Sequence, residues 1–339
     1  WLLLFAAVAS ALDTTPLLEF GPRHYFLSRD PTPLRFLTLG DWGMGNPDQK
    51  ATAALIREIV SAHDVDLIVN VGDNFYKTNL TKFFHLREGG VENLQDPLWK
   101  SYFEDMYAGS PRQIPWLSAL GNHDYMGNVS AQRAYGEEHP EWVMPENYYA
   151  ITTPNGHGGN ATFVVLDTTP LIEEYDLHPE NPTMFLNLLK AHHKEQLEWL
   201  ELTLAKAGSD EQVFVVGHHP VVTGATGIED NGKTLFSLLP HLYSMTSVKS
   251  ILERHNVHAY FAGHVHNLEF ASSNGIDYFI SGAAATGNLT YVREESNSKG
   301  WVSKEAGVLM STIGPNSLFS EFVGVGQKLL YNVTTSLKK

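Results

Sequence analysis

Residues 72–76 read GDNFY, and they close the apolar run VDLIVNV of residues 65–71. The run has the length and composition of a buried strand. The GDNFY stretch at its end admits two readings. Gly, Asp and Asn favour turns and Tyr often packs in cores, so the stretch can be an ordinary turn. The other reading is a metal site at a strand's carboxyl end, built on a carboxylate (Asp73) and a phenol (Tyr76) three residues apart.

Four more apolar runs break in the same way, into Gly and then residues able to bind a metal. They end in GDWG (40–43), GNHD (121–124), GHHP (217–220) and GHVH (263–266). In α/β sheets, sites gather beyond the carboxyl ends of strands. Taken singly, each piece is ambiguous. Asp41 has the chemistry of a helix cap, Asn122 of a turn residue, and His218 of a satisfied core histidine. His264 and His266, at i, i+2, are expected on one face of a strand. Together the five decide the matter, because turns do not require histidine.

The remaining pattern is α/β. Strands are expected over 34–41, 65–73, 114–124, 161–168, 212–220, 258–266 and 276–284. Helices are expected over 47–63, 96–107, 192–207 and 247–255, the first with Ala54, Leu55, Ile59 and Val60 as its apolar stripe. Residues 307–336 read as an antiparallel meander. Alternation followed by a strand-rich end predicts two sheets face to face with helices outside. No Pro/Gly linker divides the chain, so one domain over 12–339 is expected, with its core motifs in 34–290.

Composition removes whole classes of function. The net charge of −15 over 339 residues leaves no basic stripe for a nucleic acid. With no cysteine, disulfides, thiolate metal sites and Cys nucleophiles are excluded. The opening WLLLFAAVASALDTTP carries Ala9-Ser10-Ala11, an A-x-A cleavage pattern. It lacks a basic start, so residues 1–11 are expected to be part of a signal peptide. No later run has the ~20 apolar residues of a membrane span. Five sequons, at Asn79, Asn128, Asn160, Asn288 and Asn332, fit a glycoprotein of the secretory pathway, secreted or vacuolar/lysosomal.

In order, GDWG, GDNFY, GNHD, GHHP and GHVHN resemble the dinuclear metallophosphoesterases. The Trp of GDWG and the Tyr of GDNFY resemble the purple acid phosphatases, in particular the small tartrate-resistant type. That resemblance implies a four-layer α-β-β-α sandwich of two mixed sheets. It implies a ferric ion on Asp41, Asp73, Tyr76 and His266, and a divalent ion (Fe2+, Zn2+ or Mn2+) on Asp73, Asn122, His218 and His264. Asp73 would bridge the two. His123 would be the proton donor beside the metals, and Asp124 would hold a histidine or a loop. The donor set is chemically coherent by itself: carboxylates and a phenolate suit trivalent iron, and the more neutral set suits a divalent ion. A free tyrosine titrates near ~10, so a phenolate ligand needs a strong Lewis acid. The expected reaction is hydrolysis of a phosphate monoester in acid by a metal-bound hydroxide.

The chain departs from the tartrate-resistant pattern in three places. His219 stands where those enzymes have Tyr, Val265 where Asp is usual, and Gly227 near the place of a further His. Val265 is expected to point away from the metals. His219 is expected to contact substrate or to orient its loop. Residues 170–190 fall where the small enzymes carry a regulatory loop, and Glu173, Glu174, Asp176 and Glu180 are candidates to lean over the metals. The expected substrates are small phosphate monoesters or phosphoproteins, and the expected state is a monomer. The rival readings are a phosphodiesterase or nucleotide pyrophosphatase on the same scaffold, and a non-catalytic phosphatase-like scaffold of a membrane complex.

Overall fold

The computed structural model describes residues 17–21, 23–28, 31–77, 88–172, 179–208, 211–224, 245–255, 257–285 and 300–337. The signal-like residues 1–11, Asn79, Asn288, Gly227, Glu173, Glu174 and Asp176 lie outside the described residues.

The strands are, in chain order, β1 (Leu18–Gly21), β2 (His24–Phe26), β3 (Arg35–Leu39), β4 (Leu67–Asn70), β5 (Trp116–Ser118), β6 (Trp142–Val143), β7 (Tyr149–Pro154) and β8 (Asn160–Val165). They continue as β9 (Gln212–Val216), β10 (Ala259–Ala262), β11 (Leu268–Ser273), β12 (Ile276–Ser281), β13 (Trp301–Ser303), β14 (Gly307–Ile313), β15 (Ser317–Gly324) and β16 (Lys328–Ser336). The helices are α1 (Pro47–Ala62), α2 (Val129–Glu138), α3 (Pro182–Leu188), α4 (His193–Lys206) and α5 (Thr246–Arg254). Among the described residues, one sheet has nine strands in the order β1-β2-β7-β8-β9-β10-β12-β11-β13; the other has seven, β16-β15-β14-β3-β4-β5-β6.

Both sheets are mixed. Strands β3 to β6 run parallel, as do β8, β9, β10 and β12. The meander β14–β16 is antiparallel and completes the second sheet beside β3. The sheets face each other across an aromatic layer. Phe36 of β3 meets Phe163 of β8, Phe214 of β9 and Phe261 of β10 with ring centroids 5.2, 6.3 and 5.6 Å apart. Alternate residues, such as Leu37, Ile68, Val213 and Val215, join the clusters formed with the helices. Central strands are therefore buried on both faces, which is why they read as unbroken apolar runs. Two mixed sheets with flanking helices is the architecture expected from the sequence.

Details differ from expectation. On α1 the buried residues are Gln49, Thr52, Ala53, Leu55, Ile56 and Ile59, while Ala54 and Val60 are half-exposed. The face is turned because Thr52 and Gln49 pack inward, Gln49 donating to Tyr102 O at 2.9 Å. The helix within 96–107 is wound as a π turn over Trp99–Glu104, which buries Trp99 and Phe103. Strand β10 stops at Ala262, so His264 and His266 lie on a loop beyond it, not on a strand face.

Phe36→Ala empties the middle of the aromatic layer and is expected to cost about 3–5 kcal/mol. Urea unfolding measures this; a loss below about 1 kcal/mol would mean that the two sheets do not depend on that contact.

Candidate metal centre

Five strand ends converge at one edge of the sandwich. Asp41 follows β3, Asp73 and Tyr76 follow β4, Asn122 follows β5, His218 follows β9, and His264 and His266 follow β10. The two sheets are tied together here. Gly40 N donates to Ser281 O (2.8 Å), His264 N to Asp41 Oδ2 (2.9 Å), and His218 Nδ1 lies 2.9 Å from Val71 O. With Nδ1 donating to that carbonyl, Nε2 is the ring nitrogen of His218 that faces the site.

The backbone is strained at the same place. Asp41, Asp73 and His264 have φ of 58°, 53° and 66°, a region that residues other than Gly rarely occupy. Glycine is required beside them: a Cβ on Gly121 would run into the Asp73 carboxylate.

The seven side chains form two groups that share Asp73. In one, the Tyr76 hydroxyl lies 3.0 Å from Asp41 Oδ1, 2.8 Å from Asp73 Oδ2 and 3.3 Å from His266 Nε2. His266 Nε2 is 3.3 Å from Asp41 Oδ1. In the other, His218 Nε2 is 3.4 Å from Asp73 Oδ2 and 3.1 Å from Asn122 Oδ1. His264 Nδ1 is 3.0 Å from Asn122 Oδ1 and 3.2 Å from His218 Nε2. Asp41, Asp73, Tyr76, Asn122 and His218 are buried; His264 and His266 are half-buried.

The other sequence candidates fall around this cluster. His123 is half-buried; its N–H donates to Asp73 Oδ1 (2.8 Å) and its ring lies over Tyr76 at 4.2 Å between centroids. Asp124 holds loops. It accepts from Asn74 N (3.1 Å), Gly121 N (2.9 Å) and Gln132 Nε2 (2.8 Å), joining the second and third motifs. His219 is buried, with Thr168 Oγ1 2.8 Å from its Nδ1 and 3.0 Å from its N–H. Val265 is fully buried in the apolar core. Glu180 accepts from Asn122 Nδ2 at 3.3 Å, leaving the amide oxygen turned to the histidines. Asn128, Asn160 and Asn332 are exposed.

No sequence signal announced a side-chain network behind the donors. Trp42 donates to Asn70 Oδ1 (2.9 Å), Asn70 to Asn74 Oδ1 (2.6 Å), and Asn74 to Gln132 Oε1 (2.9 Å). Gln132 sits on α2, a helix of small and polar residues whose pattern does not stand out. Thr168 follows strand β8 and could have been noticed, since the apolar run there also ends in a polar pair, Asp167-Thr168.

The electrostatics describe a site built for cations. Burial alone would raise Asp73, but His218, His123 and His264 around it hold it well below the usual carboxylate range. Burial lowers His218, and the Asp73 and Asp41 carboxylates more than reverse this, to about 9. Burial, Asp41 and Asp73 together push the Tyr76 phenol well above its ordinary value. His264 is held well below the usual range by burial and by His218. Among the described residues, neither Asp41 nor Asp73 pairs with a lysine or arginine. Buried carboxylates without such partners need positive charge from elsewhere. The donors are all oxygen or imidazole nitrogen, a hard-to-borderline set. Acid and histidine donors here come close enough together to hold an ion, as in Asp41, Asp73 and His218. The residues fit a metal site.

A family model described as calcineurin-like phosphoesterase matches residues 34–268. Tartrate-resistant acid phosphatase type 5 of Sus scrofa is 36% identical over 272 residues, covering 75% of this chain and 70% of the relative. The chain belongs to the purple acid phosphatases, within the calcineurin-like phosphoesterases. Purple acid phosphatase 7 of Arabidopsis thaliana is 30% identical, over 76% of this chain and 72% of the relative. Among solved structures, GAP50, the anchor in the inner membrane complex of Plasmodium, aligns with a TM-score of 0.70 at 24% identity, covering 90% of this chain and 89% of that one. That last likeness concerns the fold alone. As a purple acid phosphatase the chain is a phosphatase enzyme. Membership implies a dinuclear metal centre, and the buried Asp/His cluster carries donors for it. Among the described residues, no helix is long and apolar enough to cross a membrane.

In this purple acid phosphatase, Asp124→Ala orphans three buried donors and is expected to destabilise the metal-free protein by at least about 3 kcal/mol. Urea unfolding after chelation checks it; a loss below about 1 kcal/mol would show that the loops are held by other contacts.

Proposed function

We propose that the chain hydrolyses phosphate monoesters in acid, with a ferric ion held by Asp41, Asp73, Tyr76 and His266 and a divalent ion, Fe2+, Zn2+ or Mn2+, held by Asp73, Asn122, His218 and His264. When bound, two such ions lower the pKa of water and draw charge from the phosphoryl oxygens of an in-line displacement. The observation that carries this reading is the Tyr76 hydroxyl, lodged between two buried carboxylates and a histidine. A phenol there stays neutral unless a strong Lewis acid replaces its proton.

The chain's own residues set the rest. Asp73 presents Oδ2 to both groups while its Oδ1 accepts from the His123 N–H, so its carboxylate is fixed in orientation. His123 is packed on the Tyr76 ring yet partly open to solvent, which suits a group that meets substrate. It donates its proton to the departing alkoxide and is restored by the proton released from the attacking water. Ester and water give alcohol and phosphate.

Retention of all seven donor positions supports this over a scaffold role, and Tyr76 supports it over a diesterase. The exposed sequons at Asn128, Asn160 and Asn332 support passage through the secretory pathway, ending outside the cell or in a vacuole or lysosome. Small phosphate monoesters or phosphoproteins are the proposed substrates. Glu180, at the Asn122 amide, supports a restraining role for residues 170–190; Glu180→Gln is then expected to raise kcat, and an unchanged kcat would remove that role.

Three variants test the main reading. Asp73→Ala is expected to lose bound metal and turnover together. His123→Ala is expected to keep its metals and lose about 10²–10⁴ in turnover, most on esters with poor leaving groups. Tyr76→Phe is expected to lose the visible tyrosinate-to-iron absorption. A coloured Tyr76→Phe protein, or an Asp73→Ala protein with full turnover, would contradict the assignment.

A further inference from the structure

A sixth strand end reaches the site without giving it a ligand. Strand β8 is followed by Leu166, Asp167 and Thr168, and Leu166 is tied to the neighbouring strand through Val216 O at 2.8 Å. Asp167 is 2% exposed. Its backbone is gripped on both sides by one amide of α4: Asp167 N donates to Gln196 Oε1 and Gln196 Nε2 donates to Asp167 O, each at 2.8 Å. With the backbone pinned, the carboxyl has a fixed place. There Oδ2 accepts from the Tyr125 hydroxyl at 2.5 Å and from Asn147 Nδ2 at 3.3 Å.

Tyr125 belongs to the short turn that carries His123. Met126 N closes that turn on His123 O at 3.2 Å, and Gly127 N on Asp124 O at 3.1 Å. Asp124 anchors the turn to its own sheet. Asn187 of α3 holds the turn's far carbonyls, Tyr125 O and Gly127 O, at 2.8 Å each. The hydrogen bond from Tyr125 to Asp167 fastens it to the opposite sheet. Thr168, the next residue, holds the GHHP loop of its own sheet through His219.

We propose that Asp167 is a positioning residue of the phosphatase reaction, fixing the His123 turn through the Tyr125 hydroxyl. The inference rests on His123 as the proton donor. Burial pushes the Asp167 carboxyl up to about 7 against the Tyr125 and Asn147 hydrogen bonds, with Asp124 adding to the rise and the Thr169 backbone opposing it. In acid the carboxyl is therefore neutral and serves as an acceptor, which an amide oxygen can replace.

The test is a double-mutant cycle on the purified, metal-loaded enzyme. Asp167→Leu, Asp167→Asn and Tyr125→Phe are each made with His123 present and in the His123→Ala background. Turnover is measured on an alkyl phosphate and on a nitrophenyl phosphate, together with metal content. With His123 present, Asp167→Leu and Tyr125→Phe are expected to lower kcat on the alkyl ester by about 10-fold or more, with metal content and KM little changed. In the His123→Ala background the further loss is expected to fall below about 2-fold, and Asp167→Asn is expected to stay within about 2-fold of wild type throughout. Equal losses in both backgrounds, an Asp167→Asn as damaging as Leu, or an unchanged Tyr125→Phe would overturn the proposal. An unchanged His123→Ala would instead overturn the role of His123 itself. If Asp167→Leu fails to fold, Tyr125→Phe, which removes one hydroxyl, carries the same comparison.

Discussion

Two carboxylates and a phenol, buried together with only histidines for ionic partners among the described residues, set the terms for the rest of this molecule. Taking such groups out of water costs several kcal/mol each unless positive charge compensates. Their own histidines supply part of it, as the raised His218 shows. Burial, together with the carboxylates that protonate His218, keeps the Tyr76 phenol neutral. A cation entering the cluster would displace these protons, which would couple its binding to pH.

That cluster needs a rigid frame, and the sandwich supplies one. Each donor stands within a few residues of a strand buried on both faces. Three of the donors, Asp41, Asp73 and His264, carry positive φ, and the neighbouring hydrogen bonds across the sheets over-determine them. Behind the donors lies an amide network, from Trp42 through Asn70 and Asn74 to Gln132 and Asp124, which lets loops from one sheet keep a fixed spacing. Trp42 is also a packing residue, with Phe75, Tyr107 and Trp116 at 5.5, 5.5 and 5.9 Å. Its indole thus serves the core and the site at once.

The parts of this arrangement that repeat were readable in the sequence. An apolar run, a Gly and a donor recur five times, and each recurrence marks a strand end that the fold brings to one edge. The meander of 307–336 was readable because turn residues, Gly314-Pro315-Asn316 and Gly324 to Gln327, divide three strand-like runs. What escaped depends on tertiary contacts. α2 has no apolar stripe to announce it, yet it brings Gln132 to the network. β1 and β2 are short strands at one side of the nine-stranded sheet, and pairing, not composition, defines them. The loop position of His264 and His266 could not be read from their i, i+2 spacing, which a strand shares. Asp167 escaped because its strand end lacks the Gly and the histidine that flagged the others.

Anomalous scattering from crystals of the metal-loaded protein addresses the centre most directly. Two peaks about 3.5–4 Å apart are expected on either side of the Asp73 carboxylate, the one beside Tyr76 showing the iron edge. A single peak, or a pair lying away from Asp73, would contradict a centre in which that carboxylate joins two ions.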